Sequence, residues 1–188
     1  MPSLTLDKAD HRCALCDCRH CTMYYKATPH PLMDIDQLAR VKEGFGEADV
    51  LARIQWLSTV NVTWYVWWND NEPLGWTLIQ WDGKITAPSY PDLLDLYVQP
   101  KFRSQGIGTQ IIKRCEQLVR GAGYNKLGLA VNPDLNPRAY ALYQRLGYYA
   151  ISQDKYLDGI YNGVEDWVID LEKDLTSIVA NVEATERI

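Results

Sequence analysis

The sequence predicts an α/β (α+β) fold, and three observations carry that reading. Two aromatic, β-branched segments, VTWYVWW and LGWTLIQW, flank the turn sequence NDNEP, a hairpin signal that implies antiparallel pairing. Farther along, the apolar runs LLDLYV and KLGLAV are each followed by a stretch of helical periodicity, giving two strand-to-helix units. The 188 residues are enough for one domain with a substantial core and would cramp a second.

Residues 1–20 follow neither a strand nor a helix period and read as a cysteine-rich N-terminal extension, with the domain proper over 21–175 and a polar tail over 176–188. A first strand is expected at CTMYYKAT, which is short, rich in Tyr and Thr, and closed by Pro29 and Pro31. Two helices follow. MDIDQLARVKEGF places Ile35, Leu38, Ala39 and Val41 on one face and ends near Gly44, and EADVLARIQWLSTV does the same with Val50, Leu51, Ile54 and Leu57.

In the hairpin, the tryptophans at 64, 67, 68, 76 and 81 are assigned to the core, because aromatics on adjacent strands carry large apolar area; lining a cleft is the alternative. After the loop ITAPSYP, LLDLYV is a fourth strand ending at Gln99 and Pro100. The next helix carries Ile111, Ile112, Cys115, Leu118 and Val119 as an apolar stripe that stops at Gly121 and Gly123. KLGLAV is the fifth strand. In NPRAYALYQRLGY, Asn136 is the N-cap, Pro137 the first helical residue, Ala139, Leu142, Tyr143 and Leu146 one face, and Gly147 the stop. YYAISQ and VEDWVIDLEK are the last two strands, joined by the turn-rich LDGIYNG.

Composition narrows the function classes. No apolar run approaches the roughly 18 residues that a membrane span needs, and the N-terminus lacks the apolar core of a secretion signal, so a cytoplasmic location with no membrane partner is the expectation. A formal charge of −5 argues against bulk binding to nucleic acid, which calls for a basic face. Four of the five cysteines, Cys13, Cys16, Cys18 and Cys21, lie beside His11 and His20. The Cys13/Cys16 spacing matches one half of many zinc sites, but the second pair follows at once instead of across a loop, so no metal is expected there. Cys115 reads as core.

The stretch RSQGIG, between the fourth strand and its helix, sets two glycines one residue apart. Turn chemistry alone is one reading. The other is a phosphate cradle, since a helix starting at a glycine-rich turn presents unpaired N–H groups and the positive end of its dipole. The Lys-Ser/Thr ending of a nucleotide-triphosphate loop is replaced by Thr109-Gln110, and Ile111 stands where a dinucleotide fingerprint has its third glycine. Another pyrophosphate is therefore the expected ligand.

These residues resemble the GNAT superfamily of acyl-CoA-dependent N-acetyltransferases. LYVQPKFRSQGIG is similar to the family's Arg/Gln-x-x-Gly-x-Gly/Ala motif after a strand, through Arg103, Gly106 and Gly108, and NPRAYALYQRLGY resembles the motif of an Asn opening a helix with Ala-x-x-x-Tyr before Gly-Phe/Tyr. The resemblance covers about residues 21–172. It implies a mixed, mostly antiparallel sheet of six to seven strands, splayed between the fourth and fifth and flanked by about four helices.

It also implies roles. Main-chain groups of Gln105, Gly106, Ile107, Gly108 and Thr109 would hold the coenzyme A pyrophosphate, with Arg103 shaping the loop, and the backbone of Tyr97 and Val98 would pair with the pantetheine arm. Asn136, and less directly Asn132, would contact acetyl-CoA, the co-substrate. Tyr143 resembles the tyrosine that protonates the departing thiolate, and a phenol of ordinary pKa near 10 is protonated at neutral pH; packing alone is the alternative. For the base, Leu94 stands where one subgroup carries Glu, leaving Asp95 as base or amine-binding carboxylate and Asp92 as fallback. The function implied is direct acetyl transfer from acetyl-CoA to a primary amine of a small molecule or protein. A non-catalytic acyl-CoA-binding domain, and a core carrying a zinc-binding recruiting extension, are the alternatives. Exposed aromatics in the late strands would permit a homodimer.

Overall fold

In the computed structural model the structure describes residues 59–69, 72–84, 89–161 and 163–176. The extension, the first strand and the two helices expected before residue 59, and the tail beyond 176 lie outside these. The described chain forms a seven-stranded sheet in the order β1-β2-β3-β4-β7-β5, with β6 paired to β7. The strands are β1 (Val62–Asn69), β2 (Glu72–Gln80), β3 (Asp92–Val98), β4 (Lys126–Val131), β5 (Tyr149–Ala150), β6 (Tyr156–Tyr161) and β7 (Val164–Asp174). The helices are α1 (Ile107–Gly121) and α2 (Pro137–Arg145), with a short 3-10 turn at Pro100–Phe102. All strand pairs are antiparallel except β3 with β4.

One face of the sheet packs on α1. Strand residues Tyr65, Trp67, Ile79, Leu93, Leu127, Leu129, Ile169 and Leu171 form one buried cluster with Ile111, Ile112, Cys115 and Val119, the stripe expected from the sequence. Each fully buried isoleucine contributes roughly 1.5–3 kcal/mol of transfer free energy. Alternate strand positions point the other way, and Trp64, Trp76 and Leu78 are fully buried there, with the Trp64 and Trp76 ring centroids 4.5 Å apart. Trp81 is half-buried and donates its ring N–H to the Thr63 hydroxyl at 2.7 Å. Core is thus the right assignment for these tryptophans; the side chain of Trp68 lies outside the described residues.

Two late segments differ from expectation. LDGIYNG is not simply a turn, because most of it is β6, paired with β7 from Tyr156↔Val168 to Tyr161↔Val164, and Gly163, just before β7, has φ +77°. The β-favouring Tyr156, Leu157, Ile160 and Tyr161 outweigh Gly159, which a register shift between Leu157 and Gly159 absorbs. YYAISQ keeps only Tyr149–Ala150 as strand.

The feature that positions the site is the junction of β3 with β4. They pair in parallel only at Asp92↔Gly128 and Leu93↔Leu129, although β3 continues to Val98. Its cause is on the other edge of β3. Leu78 pairs with Leu94 and Trp76 with Tyr97, so β3 carries one extra residue opposite Thr77. Asp95 takes φ +52° in this bulge, and the Leu94 carbonyl accepts a hydrogen bond from the buried Thr77 hydroxyl at 2.8 Å. A bulge bends its strand, and here it parts β3 from β4.

Candidate active site

The opened edge of β3 leads toward the N-terminus of α1. Gln99 N–H donates to Leu74 O at 2.9 Å, and the Tyr97 carbonyl abuts Gly75 so closely that a Cβ there would strike it. The main chain of Tyr97 therefore faces β2, and by alternation that of Leu96 and Val98 faces the gap. Val98 and Leu96 thus turn their main chain to the gap, whereas Tyr97, named with Val98 from the sequence, turns toward β2. Arg103 Nε donates to Val98 O at 2.9 Å and its guanidinium lies 5.5 Å from the Tyr97 ring, tying the loop to the strand end.

The two glycines of RSQGIG have different reasons. Gly106 precedes α1 with φ +82°, and nothing lies within 4 Å of where its Cβ would be, so backbone conformation and not space requires it. At Gly108 a Cβ would meet Leu142 Cδ2 at 3.6 Å and Val98 Cγ2 at 3.9 Å, ordinary contacts. The fold itself would tolerate a methyl there. The first helical bond runs from Gln110 N–H to Gly106 O, and no side chain caps the helix, so Ile107, Gly108 and Thr109 have no intrahelical acceptor. The Ile107 side chain, 3% exposed, anchors the turn in the core, while Gln105 Nε2 donates to Lys101 O at 3.0 Å.

Tyr143 is held by the way α2 ends. Gly147, at φ +88°, donates to Gln144 O, and Tyr148 N–H donates to Tyr143 O, both at 3.0 Å, which is a Schellman stop. The accompanying contact is between the Tyr143 and Tyr148 rings, edge-on at 6.0 Å. Burial pushes the Tyr143 phenol up to about 12, so it is a proton donor and not an anion at neutral pH. No hydrogen bond engages its hydroxyl among the described residues.

The two asparagines separate cleanly. Asn132 is 4% exposed; its carbonyl oxygen accepts from Asp134 N at 3.1 Å and Leu135 N at 3.0 Å, and its amide donates to Asp166 Oδ1 at 2.8 Å. It shapes the turn after β4. Asn136 does occupy the N-cap position of α2, but its exposed carboxamide makes no capping bond, which leaves it able to meet a ligand.

The two candidate carboxylates also differ. Asp95 is exposed on the bulge. Asp92 is 2% exposed at the last paired positions before the gap, and burial raises its carboxyl to about 6; Lys84 opposes that shift, and Asp170 and Asp158 add to it. Lys84 Nζ stands 3.3 Å from Asp92 Oδ1 and 2.5 Å from Asp170 Oδ1. Gly128 makes the room: a Cβ there would lie 2.7 Å from Asp92 Oδ1 and 3.0 Å from the Tyr90 ring. A glycine inside the strand KLGLAV was a legible sign of such an approach. Nothing in the sequence marked Lys84.

Parallel strands that part beyond two pairs, next to an uncapped glycine-led helix, meet an independent finding. The model of the acetyltransferase (GNAT) family matches residues 30–148. The chain belongs to the GNAT family. Thialysine N-epsilon-acetyltransferase of Bos taurus is 47% identical over 55 residues, which are 29% of this GNAT chain and 32% of that protein, so the match spans about a third of the relative's length. Among solved structures, an IAA acetyltransferase from Bacillus cereus has a TM-score of 0.59 at 19% identity, covering 81% of this chain and 99% of that one. A GNAT superfamily phosphinothricin acetyltransferase from Sinorhizobium meliloti, in complex with acetyl-CoA, has a TM-score of 0.60 at 15% identity, covering 81% and 88%. These structural likenesses establish the GNAT fold. The N-terminal cysteines lie outside the described residues, and among the described residues no helix is long and apolar enough to cross a membrane.

Proposed function

We propose that the chain transfers an acetyl group from acetyl-CoA to a primary amine by direct attack in a ternary complex. The observation that carries this reading is the gap beyond Asp92↔Gly128 and Leu93↔Leu129, which runs to the bare N–H groups of α1. A pyrophosphate at the main chain of Gln105, Gly106, Ile107, Gly108 and Thr109 would receive donors and the positive helix end together. The arm of the co-substrate then lies along Val98 and Leu96 as an added strand, with Tyr97 and Arg103 as its wall and the Asn136 carboxamide on its far side. Asn132 supports this arrangement through the turn it closes.

The incoming ammonium must lose a proton before its nitrogen attacks the acetyl carbon. Asp92 suits that task better than Asp95, because its carboxyl, raised to about 6 by burial, is ionised at neutral pH yet a stronger base than an exposed aspartate. As the C–S bond breaks, the thiolate takes a proton from Tyr143, and the phenol is restored by the second proton that the attacking nitrogen sheds as it becomes an amide. A phenol near 12 is a weak acid toward a thiol of ordinary pKa near 8.5, but burial that raises the phenol raises the thiol as well, which narrows the difference.

The test is thiol release from acetyl-CoA in the presence of primary amines, starting from side-chain amines of the kind named for the relatives. Tyr143→Phe is expected to lower kcat by about 10²-fold with acetyl-CoA affinity kept. Equal loss of turnover and acetyl-CoA affinity would remove the acid role.

A further inference from the structure

Where β4 stops, β7 has farther to run. Their last pair is Val131↔Ile169, whereas β7 begins at Val164 and pairs over residues 164–168 with β6. The β6–β7 ribbon thus extends past β4, and one buried side chain joins it to the turn that leads into α2. Asn132, the first residue after β4, donates its amide to Asp166 Oδ1 at 2.8 Å.

That bond is not what closes the turn. The carboxamide oxygen of Asn132 already accepts from Asp134 N and Leu135 N, and its main-chain oxygen accepts from Asn136 N at 2.9 Å. Closure calls only for acceptors, which an aspartate at 132 would supply equally. What asparagine adds is a donor, and the donor goes to Asp166. The start of α2 depends on this turn, because Asn136 hangs from Asn132 by its main chain, makes no capping bond with its side chain, and supplies the acceptor for Tyr140 N at 3.0 Å. A second link runs beside the first: Lys155, just before β6, pairs with Asp134 Oδ2 at 2.5 Å. Both of its groups are exposed, so it contributes little.

Resting on the reading of Asn136 as an acetyl-CoA contact, we propose that Asp166 is a positioning residue for the co-substrate: through Asn132 it fixes the β4–α2 turn, and with it the Asn136 carboxamide, against the β6–β7 ribbon. Co-substrate binding and order in the ribbon are then coupled, and linkage makes the coupling reciprocal. Acetyl-CoA held at Asn136 stiffens the ribbon, and a ribbon cut loose from the turn weakens acetyl-CoA.

Titration calorimetry of acetyl-CoA into the full-length protein tests this with two substitutions at one position. Asp166→Asn removes the charge but keeps an oxygen for the Asn132 amide, whereas Asp166→Ala removes both. The alanine variant is expected to weaken acetyl-CoA about five- to ten-fold, and the asparagine variant less than about two-fold. In an Asn136→Ala background Asp166→Ala should cost little more, because the contact it positions is already gone; a general loss of stability would not show that dependence. Hydrogen exchange gives a second readout: in wild type, acetyl-CoA should slow the amides of β6 and of residues 164–168 as well as those at the head of α1, and in Asp166→Ala only the latter. Equal affinity of wild type and Asp166→Ala, additive losses in the Asn136→Ala background, or ribbon exchange indifferent to acetyl-CoA in wild type would each overturn the proposal. Should Asp166→Ala not fold, Asn132→Asp, which keeps the acceptors of the turn but faces Asp166 with a second carboxylate, must weaken acetyl-CoA, and adding Asp166→Asn must restore it by reversing the bond; no restoration rejects the role. Wild-type protein that binds no acetyl-CoA would instead bring down the co-substrate reading, and the positioning role with it.

Discussion

Replacing Asp92 with Asn isolates the most perturbed carboxyl of the site. Its value of about 6, against 3.8 for the ordinary group, means that the folded state binds a proton more tightly than the unfolded chain does. The unfolded state thus holds fewer protons between those two values, and stability from this group falls as pH rises from about 4 to about 6, then stays level. Integrated from pH 4.5 to pH 7, the loss is about 2 kcal/mol. Asn carries no such slope. Urea unfolding of wild type and Asp92→Asn across this range should show the variant gaining about 2 kcal/mol relative to wild type on going to pH 7, because groups not coupled to Asp92 cancel in the difference. Parallel stability curves would refute the claim that Asp92 is held in a desolvated seat, and with it the argument for Asp92 as base. Turnover should respond in the opposite sense, since the variant has lost the proton acceptor.

Other expectations concern single contacts. Gly128→Ala puts a methyl 2.7 Å from Asp92 Oδ1, so it should cost about 1–3 kcal/mol by denaturation and should also shift the acid limb of the kcat/KM profile as the carboxyl is displaced. Asn132→Ala removes three hydrogen bonds from the turn after β4 and should lower stability by about 1–3 kcal/mol, whereas Asn136→Ala, which breaks no capping bond, should leave the melting temperature almost unchanged and weaken acetyl-CoA binding in calorimetry.

Much of the fold was legible because its signals are local. The stripe Ile111, Ile112, Cys115 and Val119 packs as its spacing required, and Pro137 and Gly147 begin and end α2 where the sequence set them. Main-chain availability at Gly106 and Gly108 could also be read, since it follows from residue type. What could not be read is set by pairing. The bulge at Asp95 depends on the register between β2 and β3, which no local pattern encodes, and that register turned Tyr97 toward β2 and brought Leu96 to the gap. Likewise Asp92 and Lys84 carry no periodic signal; they matter because distant strands place them beside Asp170. Asn132 and Asn136 looked alike in sequence, and only their hydrogen bonds divide them. LDGIYNG misled because its Gly and Asn spoke more loudly than the β-formers between them.

The most direct measurement is titration calorimetry of acetyl-CoA into the wild-type protein and into Gly106→Asp, with circular dichroism to establish that both are folded. One molecule bound per chain, lost in the variant where a carboxylate enters the φ +82° position at the head of α1, is the predicted result. Folded wild-type protein that binds no acetyl-CoA, or a variant that binds it as well, would contradict the assignment of the β3–β4 gap and the α1 N-terminus as the co-substrate site.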